Sequence, residues 1–454
     1  MADDRWGGMT THRDSTDALS DFADLMAGSE TVSADTAADR GRTRRVLGRI
    51  LLAMVLVIAL GALSAGGYAA WALGAPLPAP TAQLQDRAVA ASEPVAVAEP
   101  SQGASAVTVS GAPEYLGADG LHAASGTTDA VPIASITKLI TALVVLDAHP
   151  LGEGDAGPTL TFGAADHALY DAYYVRGATI AAMPAGSTMT LRDAIATMLI
   201  PSASNYAHAV STWAYGSQSA FLGAARAWLA ANGLTSTRIV DPTGLDPGNV
   251  STTADLLRLG ALAAADPTIA ELAATPSLTL PATGPMRNTN ELLGVDGITG
   301  LKTGNLGNGT FTLLYTASLD VGLGEPLAVT GAVVGSQTRE ATNDVALRTL
   351  ASIRAGFHDV ALADAGDVVG TITTPWGESA QAVVARDAAL RTWSDTPVEV
   401  TVDTRAPEVY RDGAMVGTIT WTAGPETATS DVVVAGHIPE PTAWWRLTHP
   451  DQLG

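Results

Sequence analysis

Ile50 to Leu73 is a run of 24 residues without a charged side chain, and it constrains the chain more than any other feature. As a helix it would extend roughly 36 Å, enough to cross a hydrocarbon core of about 30 Å. In lipid a single segment can satisfy its own backbone N–H and C=O groups only as a helix, so the run predicts one membrane span. Arg40, Arg42, Arg44, Arg45 and Arg49 stand in front of it and no arginine stands directly behind. That asymmetry puts the N-terminus in the cytoplasm and everything after Leu73 outside, a single-pass arrangement at the cell membrane. Ala70-Trp71-Ala72 has the small-x-small form of a signal-peptide cleavage site. The long region ahead of the run and the run's own length favour an uncleaved anchor over that alternative.

The span divides the chain. Residues 1–45 form an acidic tail with a basic end, too poor in large apolar groups to offset its ordering entropy, and are expected to be disordered. The span itself occupies residues 46–73. Residues 74–105, rich in Ala, Pro and Val, read as a semi-extended linker. From residue 106 the pattern becomes globular. Ala106–Val109 reads as a strand, Ser135–Leu146 as a helix apolar on nearly all sides, Leu191–Ile200 and Phe221–Asn232 as amphipathic helices, and Phe311–Leu319 and Leu327–Val334 as adjacent strands. Helices grouped between an early strand and late ones predict an α+β domain over residues 106–357, with helices packed on an antiparallel sheet.

Residues 358–454 change to short alternating runs: Val368–Thr373, Ala380–Ala385, Val398–Val402, Val416–Thr422 and Asp431–Ala435, with Asp412-Gly413 as a hairpin turn. They predict a small antiparallel, sandwich-like β domain with no amphipathic helix at its end.

Composition excludes several functions. With 46 acidic against 24 basic residues the formal charge is −22, and no basic face is available for a nucleic-acid partner. The absence of cysteine removes disulfides, thiolate nucleophiles and thiolate metal sites. The eight histidines lack a His-x-x-x-His spacing, so no metal or other cofactor is expected. Of the 24 basic residues, 22 are arginine and only Lys138 and Lys302 are lysine. Arginine keeps its proton at working pH, whereas a buried lysine can give one up.

Both lysines fall in motifs. Ser135-Ile136-Thr137-Lys138 begins the apolar helix, and residues three apart share a helix face, so hydroxyl and amine can point into one cleft. Burial and the positive end of the helix dipole both favour the neutral amine, which makes a base beside a nucleophile. Lys302-Thr303-Gly304 precedes the strand pair and offers a cation, a hydroxyl and a side-chain-free backbone to a carboxylate-bearing ligand. It is not a phosphate loop, since Leu301 stands where that motif needs Gly. Between them Pro201-Ser202-Ala203-Ser204-Asn205 joins two helices, a place where Ser or Asn also serves simply as a cap.

Ser-x-x-Lys, then Ser-x-(Asn), then Lys-Thr-Gly is the ordered motif set of class A β-lactamases and penicillin-binding proteins. The stretch from Ala106 to Phe357 resembles the D-alanyl-D-alanine carboxypeptidases, the low-molecular-mass, serine-type penicillin-binding proteins. Asp241-Pro242-Thr243-Gly244-Leu245, Ser251-Thr252-Thr253-Ala254-Asp255 and Asn288-Thr289-Asn290 extend the likeness. The resemblance implies a transpeptidase-type fold with Ser135 as acylated nucleophile, Lys138 as its base and Ser202 as proton relay. It further implies that Lys302, Thr303 and Gly304 receive the substrate's terminal carboxylate, with Arg339 assisting unless it is an ordinary surface arginine. The backbone N–H groups of Ser135 and Asn305 would form the oxyanion hole. The family's second motif usually ends in Asn; here Ser204 holds that position and Asn205 follows, so either residue could take the role. The implied partners are peptidoglycan stem peptides ending in D-Ala-D-Ala, with β-lactams as covalent inhibitors. A catalytically inactive homologue that binds wall peptide is the alternative from another class. A class A-like β-lactamase is less favoured, because no Glu-x-x-Leu-Asn segment lies between Ser202 and Lys302.

Overall fold

The computed structural model describes residues 38–85, 88–307, 309–407 and 411–454; the tail expected to be disordered lies outside them up to residue 37. Among the described residues, those within 79–439 form one compact unit, and 38–78 with 440–454 form another.

Among the described residues of the larger unit, an antiparallel sheet runs in the order Ile298–Gly304, Phe311–Leu319, Leu327–Ser336, Ala104–Ser110, Leu121–Gly126. Its inner strands, Phe311–Leu319, Leu327–Ser336 and Ala104–Ser110, are buried on both faces, which is what a sheet covered on two sides requires. Val107, Val109, Leu313, Tyr315 and Val333 share one core with Val345, Leu350 and Ile353 of the helix Arg339–Gly356. Their neighbours in sequence, Ala106, Leu314, Ala332 and Val334, enter the other core with Ile136, Leu139 and Ile140. The period of two thus sends alternate residues to opposite helical layers. Each fully buried Val, Leu or Ile contributes about 1.5–3 kcal/mol.

The second core surrounds the helix Thr137–Ala148, in which every residue from Thr137 to Leu146 is buried. Helices Leu191–Leu199, Ser204–Tyr215, Gln218–Ala231 and Thr253–Ala265 contribute their apolar faces to it. Thr190, Ser217, Thr252 and Thr338 each cap a helix start by accepting a backbone N–H. Thr253–Ala265 and Arg339–Gly356 are absent from the sequence-level expectation. In Arg339–Gly356, Thr, Asn, Asp and Arg are interspersed among the buried positions, so periodicity alone reads surface or loop.

The strands beyond Gly356 form a six-stranded sheet in the order Thr81–Leu84, Val368–Thr373, Ser379–Val384, Glu426–Ala435, Met415–Ala423, Glu399–Thr404, and Phe357–Ala363 pairs with Ala388–Trp393. Trp421, Val416 and Val432 lie at the centre of its core. Two details differ from expectation. The proposed spacer supplies an edge strand, Thr81 pairing with Thr373 and Leu84 with Gly370, and Val95 N–H donates to Ser394 Oγ at 2.9 Å. Its partners lie far along the chain, so local composition could not reveal them. Asp412-Gly413 does make a turn, with Gly413 at φ 76° and Asp412 accepting the Gly436 N–H. It sits in a connection longer than a hairpin, and the tight turn of this sheet is Gly424-Pro425 between Met415–Ala423 and Glu426–Ala435.

The smaller unit contains the helix Ala38–Gly74, which from Arg44 onward is long and apolar enough to cross a membrane. A short helix, Ala443–Thr448, closes against its far end: Tyr68 donates to the Leu447 carbonyl at 2.7 Å and Arg446 to the Ala75 carbonyl at 2.8 Å. The expectation of no terminal helix is corrected. Six residues are too few for periodicity to register, and Thr442 starts the turn by accepting the Trp445 N–H at 3.2 Å.

Candidate active site

The turn that carries Ser135 begins with strain. Ala134 has φ 46° and opens a 3₁₀ turn, Ala134–Ile136, which leads into the helix Thr137–Ala148. A non-glycine residue in that region persists only where surrounding packing imposes it. Here the imposing neighbours are Gly304 and Gly244. A Cβ on Gly304 would lie 2.8 Å from the Ser135 nitrogen, and one on Gly244, at φ 82°, would overlap the Ala134 carbonyl. The two glycines let the Lys-Thr-Gly strand and the Asp241–Leu245 loop close on Ser135 from two sides.

Ser135 is half-buried and Lys138 has no exposure. Lys138 Nζ donates to Ser135 Oγ at 3.0 Å and to the Thr243 carbonyl at 2.7 Å. Burial pulls this amine from its ordinary 10.5 to about 7, although the negative charge of Asp241 acts in the opposite sense. Near neutral pH a large fraction of the amine is therefore unprotonated and in contact with the hydroxyl. That is the geometry of a general base and its nucleophile.

Facing them, Lys302 is 1 % exposed and donates to Thr289 Oγ1 and to the Thr303 carbonyl, each at 3.2 Å. Thr303 Oγ1 donates to Thr289 Oγ1 at 2.7 Å, and Arg339 Nη1 donates to the Thr289 carbonyl at 2.9 Å. Burial, together with the positive charges of Lys138 and Arg339, holds Lys302 well below its ordinary value. A bound carboxylate would supply the missing counter-charge. Thr303, Gly304, Asn305 and Arg339 line one small pocket, Asn305 exposed at the strand's end.

Ser202 and Ser204 are buried at the start of the helix Ser204–Tyr215, Ser202 at φ 70°. Asn205 is fully buried and tied to the backbone: its Nδ2 donates to the Ala181 carbonyl at 2.8 Å and its Oδ1 accepts the Ala181 N–H at 3.1 Å. Of the two candidates for the second motif's last position, Asn205 is thus held by the Ala181 backbone, and Ser204 lies beside it at the helix start. Among the described residues no three His, Asp or Glu side chains converge as metal ligands.

Two residues of this site escaped the reading of single motifs. Thr289 joins Lys302, Thr303 and Arg339, and Asp241 anchors the loop that holds Lys138. Thr289 lay inside the quoted Asn288-Thr289-Asn290 and Asp241 inside Asp241–Leu245, so both were visible as segments, though not as individual roles.

A family model described as D-alanyl-D-alanine carboxypeptidase, peptidase S11, matches residues 122–324. The D-alanyl-D-alanine endopeptidase of Pseudomonas aeruginosa is 36% identical over 169 residues, covering 36% of this chain and 51% of that protein. The protein of the same description from Escherichia coli is 34% identical over 172 residues, with the same 36% and 51% coverage. The chain spans about half the length of the curated relatives it matches. Among solved structures, penicillin binding protein 5 from Haemophilus influenzae aligns with a TM-score of 0.50 at 17% identity, covering 76% of this chain and 100% of that one. That likeness gives the fold: a penicillin-binding-protein-like α+β domain with a β domain beyond it.

Proposed function

From the match of residues 122–324 to the D-alanyl-D-alanine carboxypeptidase family, we propose that this chain is a serine D,D-peptidase that removes the terminal D-alanine of peptidoglycan stem peptides through an acyl-enzyme on Ser135. The observation that carries the reading is the 3.0 Å contact between Ser135 Oγ and a buried amine drawn to about 7. Lys138 takes the Ser135 proton as Oγ bonds to the penultimate D-alanine's carbonyl carbon. The oxyanion lies between the N–H groups of Ser135 and Asn305, a preorganised pair worth several kcal/mol in such sites. The C–N bond then breaks, Ser202 passes a proton to the leaving amine, and water later releases the ester. Lys302, Thr303 and Arg339 hold the terminal carboxylate, while Ser204 stands in for the family's Asn at the substrate amide. The catalytic domain works outside the cell on the Ile50–Leu73 anchor, and β-lactams acylate the same serine.

A second reading has its own support. Both curated relatives are described as endopeptidases, which would cut D,D cross-links within the wall instead of trimming free ends. Incubation with a stem pentapeptide and, separately, with cross-linked muropeptide dimers tests both. Release of free D-alanine from the pentapeptide is the expected result. Conversion of dimers to monomers with the pentapeptide untouched would replace the first reading with the second.

A further inference from the structure

We propose that Asp241 is a positioning residue of this site: it holds the Thr243 carbonyl against Lys138 Nζ and supplies the negative charge that faces that amine. The inference rests on the reading of Lys138 as base to Ser135. Within Asp241-Pro242-Thr243-Gly244-Leu245 the Asp241 carboxylate collects nearly every donor in reach. Oδ1 accepts the Thr243 N–H and Oγ1, both at 2.6 Å, and the Gly244 N–H at 2.8 Å. Oδ2 accepts the Asp246 N–H at 2.8 Å and Asn249 Nδ2 at 3.1 Å. Asn249 is itself fully buried and ties back to the N–H groups of Val240 and Asp241.

These bonds wind the loop so that its carbonyls point outward to the nucleophile helix. The Pro242 carbonyl accepts Thr141 Oγ1 at 2.8 Å, and the Thr243 carbonyl accepts Lys138 Nζ at 2.7 Å. Gly244 presses on Ala134 and Ser135, where no side chain would fit. The loop therefore fixes where Lys138 sits relative to Ser135, and the carboxylate at its centre fixes the loop.

The charge has a separate effect. Burial alone would raise the Asp241 carboxyl, but hydrogen bonds from Thr243, Asp246 and Gly244 outweigh it and keep Asp241 below its ordinary range, hence ionised. The charge that acts on Lys138 from this loop is that of Asp241; across the site stands Lys302 on the strand, with Arg339 beyond it. The Asp241 charge also acts on Tyr173 and His208, which bond each other at 2.9 Å, and His208 feels Asp166 and Arg176 as well. Removing the Asp241 charge removes the one interaction that favours the protonated amine against its burial, so the Lys138 proton leaves at lower pH.

The chain's two lysines make this directly measurable. Lysine labelled with ¹³C at Cε gives two side-chain signals in the full-length protein, and Lys302→Arg assigns them. The Lys138 midpoint is expected near 7 in the wild type. It should fall by about one pH unit in Asp241→Asn, with the acid limb of benzylpenicillin acylation falling alongside it. In Asp241→Glu the charge stays, so the midpoint holds while the acylation plateau drops at least tenfold as the Thr243 carbonyl shifts. An unmoved midpoint in a folded Asp241→Asn protein, or an equal shift in Asp241→Glu, would overturn the proposal. If Asp241→Asn does not fold, Asp241→Glu carries the test alone, and wild-type acylation in it would overturn the positioning role. The titration needs no substrate, so its failure is distinct from a failure of the acyl-enzyme reading.

Discussion

Lys138 sits without solvent exposure between a hydroxyl and a carbonyl, and its environment works against its charge. Its stability consequence follows from proton counting. Between about 7 and 10.5 the unfolded chain binds this proton and the native one does not, so Lys138 adds a contribution to stability that rises with pH across that window. Below it the buried lysine opposes folding in full. Lys138→Met should be more stable than wild type by about 1–3 kcal/mol at neutral pH, the gap narrowing towards pH 10, as chemical denaturation at several pH values would show. A gap independent of pH would mean that the lysine is protonated in the native state. Lys138→Arg keeps a cation and should lose acylation altogether, because guanidinium does not act as a base at these pH values. This residue-level chemistry was legible in the sequence because lysine is so sparingly used. Thr289 and Asp241 were not legible as individual roles, since their significance lies in partners 13 and 105 residues away from them or their loop.

At the scale of elements, the site is an assembly of three backbone segments brought together by glycine. The Lys-Thr-Gly strand and the Asp241–Leu245 loop reach Ser135 only because Gly304 and Gly244 lack a Cβ. Gly244→Ala puts a methyl group into the Ala134 carbonyl at a positive φ, so a loss of more than about 2 kcal/mol is expected, with acylation slowed at least a hundredfold. Thermal melting and acylation kinetics check this, and a variant acylated at the wild-type rate would show that the loop does not bear on the nucleophile. Strands with clean alternation, such as Asp431–Ala435 within Glu426–Ala435, were readable from their period. The helix Arg339–Gly356 was not, because its buried Val345, Leu350 and Ile353 are interspersed with Thr, Asn, Asp and Arg. Thr81–Leu84 was hidden for another reason: a four-residue edge strand gains its identity from Val368–Thr373, which no local window contains.

At the scale of the whole molecule, a span read from an absence of charge precedes a domain read from three motifs. Orientation is the part that rests on arginine placement alone. The chain has no cysteine, so Ala365→Cys, exposed in the β domain, provides a single reporter. A membrane-impermeant maleimide should label it in intact spheroplasts, whereas labelling only after lysis would reverse the topology. Whether Ser135 is the nucleophile of a penicillin-sensitive peptidase is decided by intact-mass measurement after exposure to benzylpenicillin. One covalent adduct is expected on the wild-type chain and none on Ser135→Ala. An unmodified wild type, or an adduct that survives in Ser135→Ala, would contradict that role.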